Sequence, residues 1–229
     1  MSEEHLSREC LRLLLDHVAH DLRGRSGVIL GALTQIEVGG DAEQIRKLVA
    51  MARRSAQQVL LMADGLQRAG ELHSGAAHWE IEPRDLRELV QHAVERASAV
   101  ETRRGITLDV RLPDAECVVS LDGEWMALTV TDLVVRAIQA ARTRVVVELE
   151  AGPANAVLTV SDDGRPLPES WPERFSATPR EQALGRTLSL ARDVARAHGA
   201  RLTTGERRPD WPVGGCIRFD FSRSKSDNG

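Results

Sequence analysis

Apolar residues recur with a helical period through the first third of the chain. If Arg25 is counted as one slot, they alternate steps of three and four at Leu11, Leu15, Val18, Leu22, Ile29, Ala32 and Ile36. Gly39 and Gly40 interrupt this pattern, and Asp41 can cap a second helix. The rhythm then resumes at Ile45, Leu48, Ala52, Ser55, Val59, Met62, Leu66 and Ala69. The pattern predicts a hairpin of two long helices. Because two such helices cannot fully bury both stripes against each other, we expect two copies to form a four-helix bundle, and hence a homodimer.

Shorter, mixed elements follow the hairpin, after the stretch HSGAAH at residues 73–78. Helical periodicity predicts helices near 84–103, 123–141 and 183–198. Runs rich in β-branched residues predict strands at 105–112, 117–122, 143–150, 156–162, 200–206 and 216–222. We therefore expect an α+β chain with a helical hairpin over residues 1–75, an α/β sandwich over 76–222 and a disordered tail over 223–229.

Composition and charge exclude several classes of function. The net charge is -4, with 30 Lys and Arg against 34 Asp and Glu, and no basic cluster is interleaved with aromatic residues, so a nucleic-acid partner is not expected. Charges interrupt the apolar positions near the N-terminus, which predicts neither a signal peptide nor a membrane span and favours a cytoplasmic location. Cys10, Cys117 and Cys216 lack metal-ligand spacing, so we expect buried, inert thiols and no metal site.

The most informative residue of the first helix is His20, within HDLRGRSGVIL. It lies two positions from both Val18 and Leu22, about 200° of helical rotation from each, so it should point away from the apolar stripe. A neutral imidazole nitrogen is a competent nucleophile near neutral pH. The alternative interpretation of His20 is an ordinary solvated surface histidine. We assign that ordinary surface role to His17, which lies one turn earlier.

Five segments, in order, resemble the transmitter region of bacterial sensor histidine kinases. HDLRGRSGVILGAL (20–33) resembles the phosphoacceptor box, and LTVTDLVVRAIQAA (128–141) resembles the helix that carries the metal-binding Asn. VSDDGRPLP (160–168) and ALGRTLSLARDVARAHGARL (183–202) resemble the two glycine boxes, and PVGGCIRFDFS (212–222) resembles the closing hairpin. The resemblance implies a dimerisation and phosphoacceptor hairpin followed by an ATPase-like sandwich of the type shared with gyrase and a heat-shock chaperone.

The resemblance also assigns roles around His20. It makes His20 the phosphoacceptor and Asp21 the acid that holds the ring or takes up a proton, and it gives Arg23 a pairing or phosphate-contact role. Gly24 stands where kinases that also remove phosphate often have Thr or Asn, so strong phosphatase activity is not expected, although Ser26 is near enough to leave that question open. Receiver docking would involve the outward face around His20 and the upper part of the second helix, with Arg12, Leu13, Asp16 and Arg23 as its neighbours.

The ATP site implied by the resemblance is degenerate in this sequence. Arg136 takes the position of the metal-binding Asn and Asp132 that of the preceding Asn, and a guanidinium has no lone pair for a cation. Asp162 and Gly164 are retained from the first glycine box, but Pro166 replaces its second glycine and removes an amide donor. Gly185 is retained from the second box, where Arg186 and Thr187 follow in place of Leu and Gly, at what should be a helix N-terminus.

These features favour a histidine phosphotransferase of a phosphorelay. It would accept a phosphoryl group on His20 from one response-regulator receiver domain and pass it to another, with no cofactor and no input domain in this chain. One alternative is an atypical ATP-dependent kinase using ATP and magnesium, supported by Asp162, Gly164, Gly185 and the lid-like Phe175. In that case Arg136 and Arg186 could contact the phosphates directly, whereas otherwise Arg136 and Asp132 form an ion pair. The other alternative is a pseudokinase scaffold.

Overall fold

The computed structural model describes residues 3–101, 105–167, 179–204 and 214–222. The chain divides into two compact units, Met1–Ser74 and Gly75–Gly229. Within the described ranges the first unit has two helices, and the second has three helices and seven strands.

The first unit is a helical hairpin. Helix α1 (Glu3–Val38) and helix α2 (Ala42–Ser74) are joined by only three residues. Gly39 has a φ of 95°, a conformation that favours glycine, and its amide donates to the carbonyl of Ile36. Asp41 then caps α2, because its Oδ1 accepts from the amides of Glu43 at 2.9 Å and Gln44 at 2.8 Å.

The two helices meet along the predicted apolar stripe. Val18, Ala32 and Ser55 are buried, and most other stripe positions are half-buried. Arg25 occupies a slot in this seam and donates from Nη1 to Oε1 of Gln58 on α2. Among the hairpin side chains that the structure describes, seven large apolar ones remain exposed, namely Val28, Leu30, Leu33, Val38, Val49, Met51 and Leu60. A single copy of the hairpin therefore leaves much apolar surface uncovered.

The second unit is an α/β sandwich with a small additional sheet. Its elements are β1 (Glu82–Asp85), α3 (Leu86–Val100), β2 (Thr107–Arg111), β3 (Val118–Leu121), α4 (Gly123–Ala140), β4 (Arg144–Ala151), β5 (Asn155–Asp162), α5 (Pro179–Ala197), β6 (Arg201–Thr204) and β7 (Gly215–Ser222). The main sheet has the strand order β2-β4-β5-β7-β6, with only the β2 and β4 pair parallel. Strands β1 and β3 pair with each other in a separate antiparallel sheet.

The core of this unit lies between one face of the main sheet and the three helices. Alternate residues of the central strands supply its sheet side, for example Val147 paired with Val160 and Leu158 paired with Phe219. Helix α4 is buried along most of its circumference, and only a narrow stripe that includes Asp132, Arg136 and Gln139 stays half-exposed.

One strand was not predicted, and two helices begin at residues other than the predicted ones. Strand β1 was not predicted, because Glu-Pro-Arg-Asp has no apolar alternation, and it pairs with β3, which therefore lies outside the main sheet. Helix α3 begins at Leu86 and not near 84, since Asp85 caps it by accepting from the amide of Arg87 at 3.0 Å. Helix α5 begins at Pro179, four residues earlier than the predicted 183, and proline is favoured at the first position of a helix. The predicted tail, 223–229, lies outside the described residues.

Asp163, directly after β5, organises the loop between α4 and β4. Its carboxylate accepts from the backbone amides of residues 142–144 at 2.8 to 3.1 Å and from the hydroxyl of Thr143. Burial of the carboxylate raises its pKa, but the hydrogen bonds outweigh this effect and lower the pKa from 3.8 to about 2. The ionised form of Asp163 therefore stabilises the fold.

We expect Asp163→Ala to destabilise the second unit at pH 7 by about 1–3 kcal/mol, towards the lower value because solvent screens a partly exposed carboxylate. Since the folded pKa lies below the unfolded value of 3.8, the stabilisation is complete above about pH 4 and is lost as pH falls towards about 2. Urea unfolding at several pH values tests this. The exposed Asp114→Ala is the control, and an equal wild-type advantage at pH 7 and pH 3 would contradict the assignment.

Candidate functional site

The side chain of His20 is exposed on α1. The neighbouring positions differ in burial: Val18 is buried, Asp21 and Leu22 are half-buried, and Arg23 is exposed. This is the arrangement expected when Val18 and Leu22 face α2 and His20 faces away from it. The imidazole is therefore accessible to a macromolecular partner. The side chains of Arg12, Leu13 and Asp16 lie outside the described part of the chain.

Helix α1 continues without a break past His20 through three glycines. Gly24, Gly27 and Gly31 all lie within α1. Apart from the backbone of α1 itself, no atom of the described residues lies within 4 Å of where a methyl group at any of them would stand. Glycine lowers intrinsic helix stability by about 1 kcal/mol relative to alanine. No close packing compensates for this cost at these positions.

In the second unit, Asp132 and Arg136 form an ion pair along one turn of α4. The Nε of Arg136 lies 3.7 Å from Oδ1 of Asp132, and both side chains are about a quarter to a third exposed. Among the described residues, this Nε has no hydrogen-bond partner. In the resemblance to sensor histidine kinases, position 136 corresponds to the metal-binding Asn. The guanidinium of Arg136 offers hydrogen-bond donors but no lone pair that could bind a cation. Position 136 does not fit Mg²⁺.

Asp162 is buried at the end of β5, where three glycines surround its backbone and carboxylate. Oδ1 accepts from the amide of Gly164 at 2.8 Å. Methyl groups at Gly214 and Gly215 would lie 2.0 Å from the carbonyl oxygen and 2.6 Å from Oδ2 of Asp162, respectively. Close packing therefore requires glycine at these positions.

Gly164 brings the end of β5 against the C-terminal end of α4. A methyl group on Gly164 would lie 2.3 Å from the carbonyl oxygen of Ala140, and Ala140 is one helical turn beyond Arg136. The fold therefore places Gly164 and the end of the helix that carries Arg136 side by side. Pro166 follows in an exposed loop.

Gly185 and Thr187 lie inside α5 and not at its N-terminus, which corrects the expectation from the sequence. Since α5 begins at Pro179, residues 185–188 come after the four positions whose amides are free at a helix start. Thr187 and Leu188 are buried. The side chain of Arg186 and the whole of Phe175 lie outside the described part of the chain.

The described residues contain neither a cluster of metal ligands nor a membrane-spanning helix. No group of three or more His, Cys, Asp and Glu side chains there could hold a metal ion. None of the helices, within that same part of the chain, is long and apolar enough to cross a bilayer. Cys117 and Cys216 are both buried thiols.

Sequence reasoning missed two features next to the predicted positions. Asp163 lies next to the predicted Asp162, and it carries the hydrogen bonds that hold the α4–β4 loop. Gly214 and Gly215, in the segment predicted as a closing hairpin, pack closely against Asp162. Two consecutive glycines before a strand are the available signal, because they indicate a close approach of backbone.

Comparison with known proteins identifies similar regions in sensor histidine kinases. No family model matches the chain. The sensor histidine kinase GtrS of Pseudomonas aeruginosa is 42% identical over 65 residues, covering 26% of this chain and 14% of that protein. The sensor protein DivL of Caulobacter vibrioides is 28% identical over 168 residues, covering 72% of this chain and 21% of that protein. The chain thus spans only a small part of these curated relatives.

Among solved structures, the histidine kinase AdeS of Acinetobacter baumannii has a similar fold. It superposes with a TM-score of 0.58 at 14% identity, covering 90% of this chain and 98% of that one. The predicted resemblance to the transmitter region of sensor histidine kinases is confirmed, as is the fold of a helical hairpin followed by an ATPase-like α/β sandwich.

We expect Gly164→Ala to destabilise the second unit by about 1–3 kcal/mol, because the added methyl group overlaps a main-chain carbonyl that cannot rotate away. Gly27→Ala is the matched control. Its methyl group meets open space, so it should stabilise α1 by about 0.5–1 kcal/mol. Thermal unfolding followed by circular dichroism measures both, and an unchanged melting temperature in Gly164→Ala would refute the close contact.

Proposed function

We propose that this chain is a histidine phosphotransferase of a phosphorelay. His20 would accept a phosphoryl group from the phosphorylated aspartate of one receiver domain and transfer it to the aspartate of another. The observation that carries this proposal is an exposed histidine followed by Asp21 on a kinase-like hairpin, combined with an arginine–aspartate ion pair where a kinase would bind magnesium.

The chemistry of such a transfer needs no nucleotide. An imidazole nitrogen of His20 attacks phosphorus, the P–O bond to the receiver's aspartate breaks, and that carboxylate leaves with the bonding electrons. Asp21 is the acid nearest in sequence and would hold the ring or take up its proton. Arg23, which is exposed beside them, would pair with the phosphoryl oxygens.

The degenerate nucleotide site supports a relay in preference to a kinase. Position 136 presents a cation where a metal ligand is needed. The amides of residues 185–188 lie within a helix, where they bond to preceding carbonyls and cannot cradle phosphate. The second unit would then serve as a surface for docking receiver domains, and neither ATP nor magnesium would be a cofactor.

Two surfaces of the hairpin indicate two partners, a second copy of the chain and a receiver domain. The exposed apolar residues of α1 and α2 favour a second copy of the chain, which would cover them in a four-helix bundle. The outward face around His20, with Arg12, Leu13, Asp16 and Arg23, would receive the receiver domain in a helix-groove contact. We place this relay in the cytoplasm, where response regulators act.

One specific observation favours a second candidate, an atypical ATP-dependent kinase. Asp162 is buried and hydrogen-bonded to the amide of Gly164, so the part of the site that would hold adenine keeps an ordered carboxylate. The test below separates this candidate from the relay and from a scaffold that carries no phosphate.

The test incubates the purified chain with labelled ATP, and separately with a receiver domain labelled on its aspartate. We expect label to reach the chain only from the receiver, and His20→Ala to lose it completely because the nucleophile is gone. The control is His17→Ala, which removes a histidine one turn earlier on the same helix and should retain transfer.

Each other result contradicts the relay in its own way. Label gained from ATP would establish the atypical kinase, and equal transfer by His20→Ala would show that another residue accepts phosphate. Absence of label from a receiver that demonstrably binds the chain would leave a scaffold. Equilibrium dialysis measures whether the chain binds ATP and magnesium. Binding is required of the atypical kinase and is not expected of the relay.

A further inference from the structure

The apolar seam of the hairpin contains a polar level. Arg25 lies thirteen residues before the last residue of α1, and Ser55 lies thirteen residues after the first residue of α2. Because the two helices are antiparallel and rise equally per residue, Arg25 and Ser55 stand at the same height. Gln58, one turn beyond Ser55 on the same side of α2, accepts from Nη1 of Arg25. We call Arg25, Ser55 and Gln58 the polar layer.

The levels on either side of the polar layer are apolar. Leu22 and Ile29 flank it on α1, and Ala52 and Val59 flank it on α2. All four side chains are half-buried. Polar residues at such positions pack less favourably than apolar ones, and their best-attested use is to fix the register and the partner of a helical bundle.

The hydrogen-bonding capacity of Arg25 is only partly used within the hairpin. A guanidinium carries five N–H donors and no acceptor, and Nη1 is the group that bonds to Gln58. Its Nε is buried without an acceptor among the described residues. The side chain as a whole is half-buried, so water reaches the rest of the guanidinium in a single copy. A partner that covers the seam removes this water and must supply acceptors in its place.

Uncovered apolar side chains border the polar layer on both helices. Val28, three residues after Arg25, is 40% exposed, and Met51, four residues before Ser55, is 37% exposed. Residues with these spacings are neighbours on a helix surface. Burial of this apolar surface favours a partner that packs here, and such a partner takes Arg25 out of water at the same time.

A second copy of the chain supplies the acceptors that Arg25 lacks. When two hairpins pair in register about a twofold axis, the polar layer of each copy lies level with that of the other. The amide oxygen of Gln58 has a second lone pair and the hydroxyl oxygen of Ser55 has two. A hairpin with apolar residues at this level, or a copy shifted by one turn, offers no such acceptors and leaves the donors unpaired.

We propose that the polar layer of Arg25, Ser55 and Gln58 is the recognition element that pairs this hairpin with a second copy in register, through hydrogen bonds from Arg25 to the other copy. Two guanidiniums at one level repel each other, so the layer lowers the stability of the dimer while it raises the selectivity of pairing. The inference rests on the homodimer of the proposed function and does not depend on phosphotransfer.

Mixing two variants of the full chain tests whether Arg25 bonds across the dimer. Arg25→Leu keeps Gln58 and Gln58→Leu keeps Arg25, so neither variant can form this pair within one hairpin. Only a mixed dimer brings Arg25 of one copy to Gln58 of the other. At equilibrium in an equimolar mixture, the ratio of mixed dimers to homodimers should exceed the random ratio by about tenfold, the effect of one hydrogen bond to a charged group. Native mass spectrometry of chains with tags of different mass measures the ratio.

The matched control makes the same two changes away from the seam, as Arg53→Leu mixed with Gln67→Leu. Both side chains are exposed on α2, so this mixture should give the random ratio. If Gln58→Leu does not fold, Gln58→Met replaces it, because methionine has a similar length and only a weak acceptor.

A random ratio in the mixture of Arg25→Leu and Gln58→Leu would overturn the inference, because the bond would then lie within each hairpin. An equal excess of mixed dimers in the control would overturn it too. The mass of the wild-type chain distinguishes the two failures. A monomer would refute both the homodimer and the polar layer, whereas a dimer with a random ratio would refute the polar layer alone.

Discussion

The second unit depends on the burial of one helix, α4. Eleven of its residues are buried, and it packs against α3, α5 and the central strands β4 and β5. Such a helix is apolar around most of its circumference, which leaves one narrow stripe for polar side chains. Asp132 and Arg136 lie on that stripe, so the chemistry available to this face is decided by very few positions.

The same helix organises its surroundings at both ends. Asp122 caps its beginning, and Trp125 in the first turn supports Trp79. At the other end, the carbonyl of Ala140 admits only glycine at position 164. Asp163 then fixes the loop that leads from the helix into β4. Helix α4 therefore contacts two distant parts of the second unit. At its beginning it contacts Trp79, in the segment before β1, and at its end it contacts Gly164, next to the buried Asp162.

Much of this arrangement was predictable because it depends on local patterns. The three- and four-residue spacings over 11–36 and 45–69 predicted the hairpin, and the exposure of His20 followed from its angle to Val18 and Leu22. Strand β1 was not predictable from Glu82–Asp85, because its pairing with β3 compensates for a local sequence with little strand propensity. The predicted start of α5, near 183, is too late, because the helix begins at Pro179, and proline is favoured at the first position of a helix.

Within the candidate site, residue types were easier to predict than their contacts. The loss of a metal ligand at Arg136 could be read from chemistry alone, and its pairing with Asp132 follows from an i,i+4 spacing. The glycines at 164, 214 and 215 gave less information, because their role depends on distant backbone atoms that only the fold brings near.

Three glycines of α1 differ from these, since no other element in the described part of the chain packs against Gly24, Gly27 or Gly31. These glycines lower the stability of the helix through conformational entropy, because the unfolded chain has extra backbone freedom at glycine that is lost when the helix forms. The segment next to His20 is consequently where α1 has the least helical stability of its own, and it depends on neighbouring helices to keep the histidine in a regular backbone.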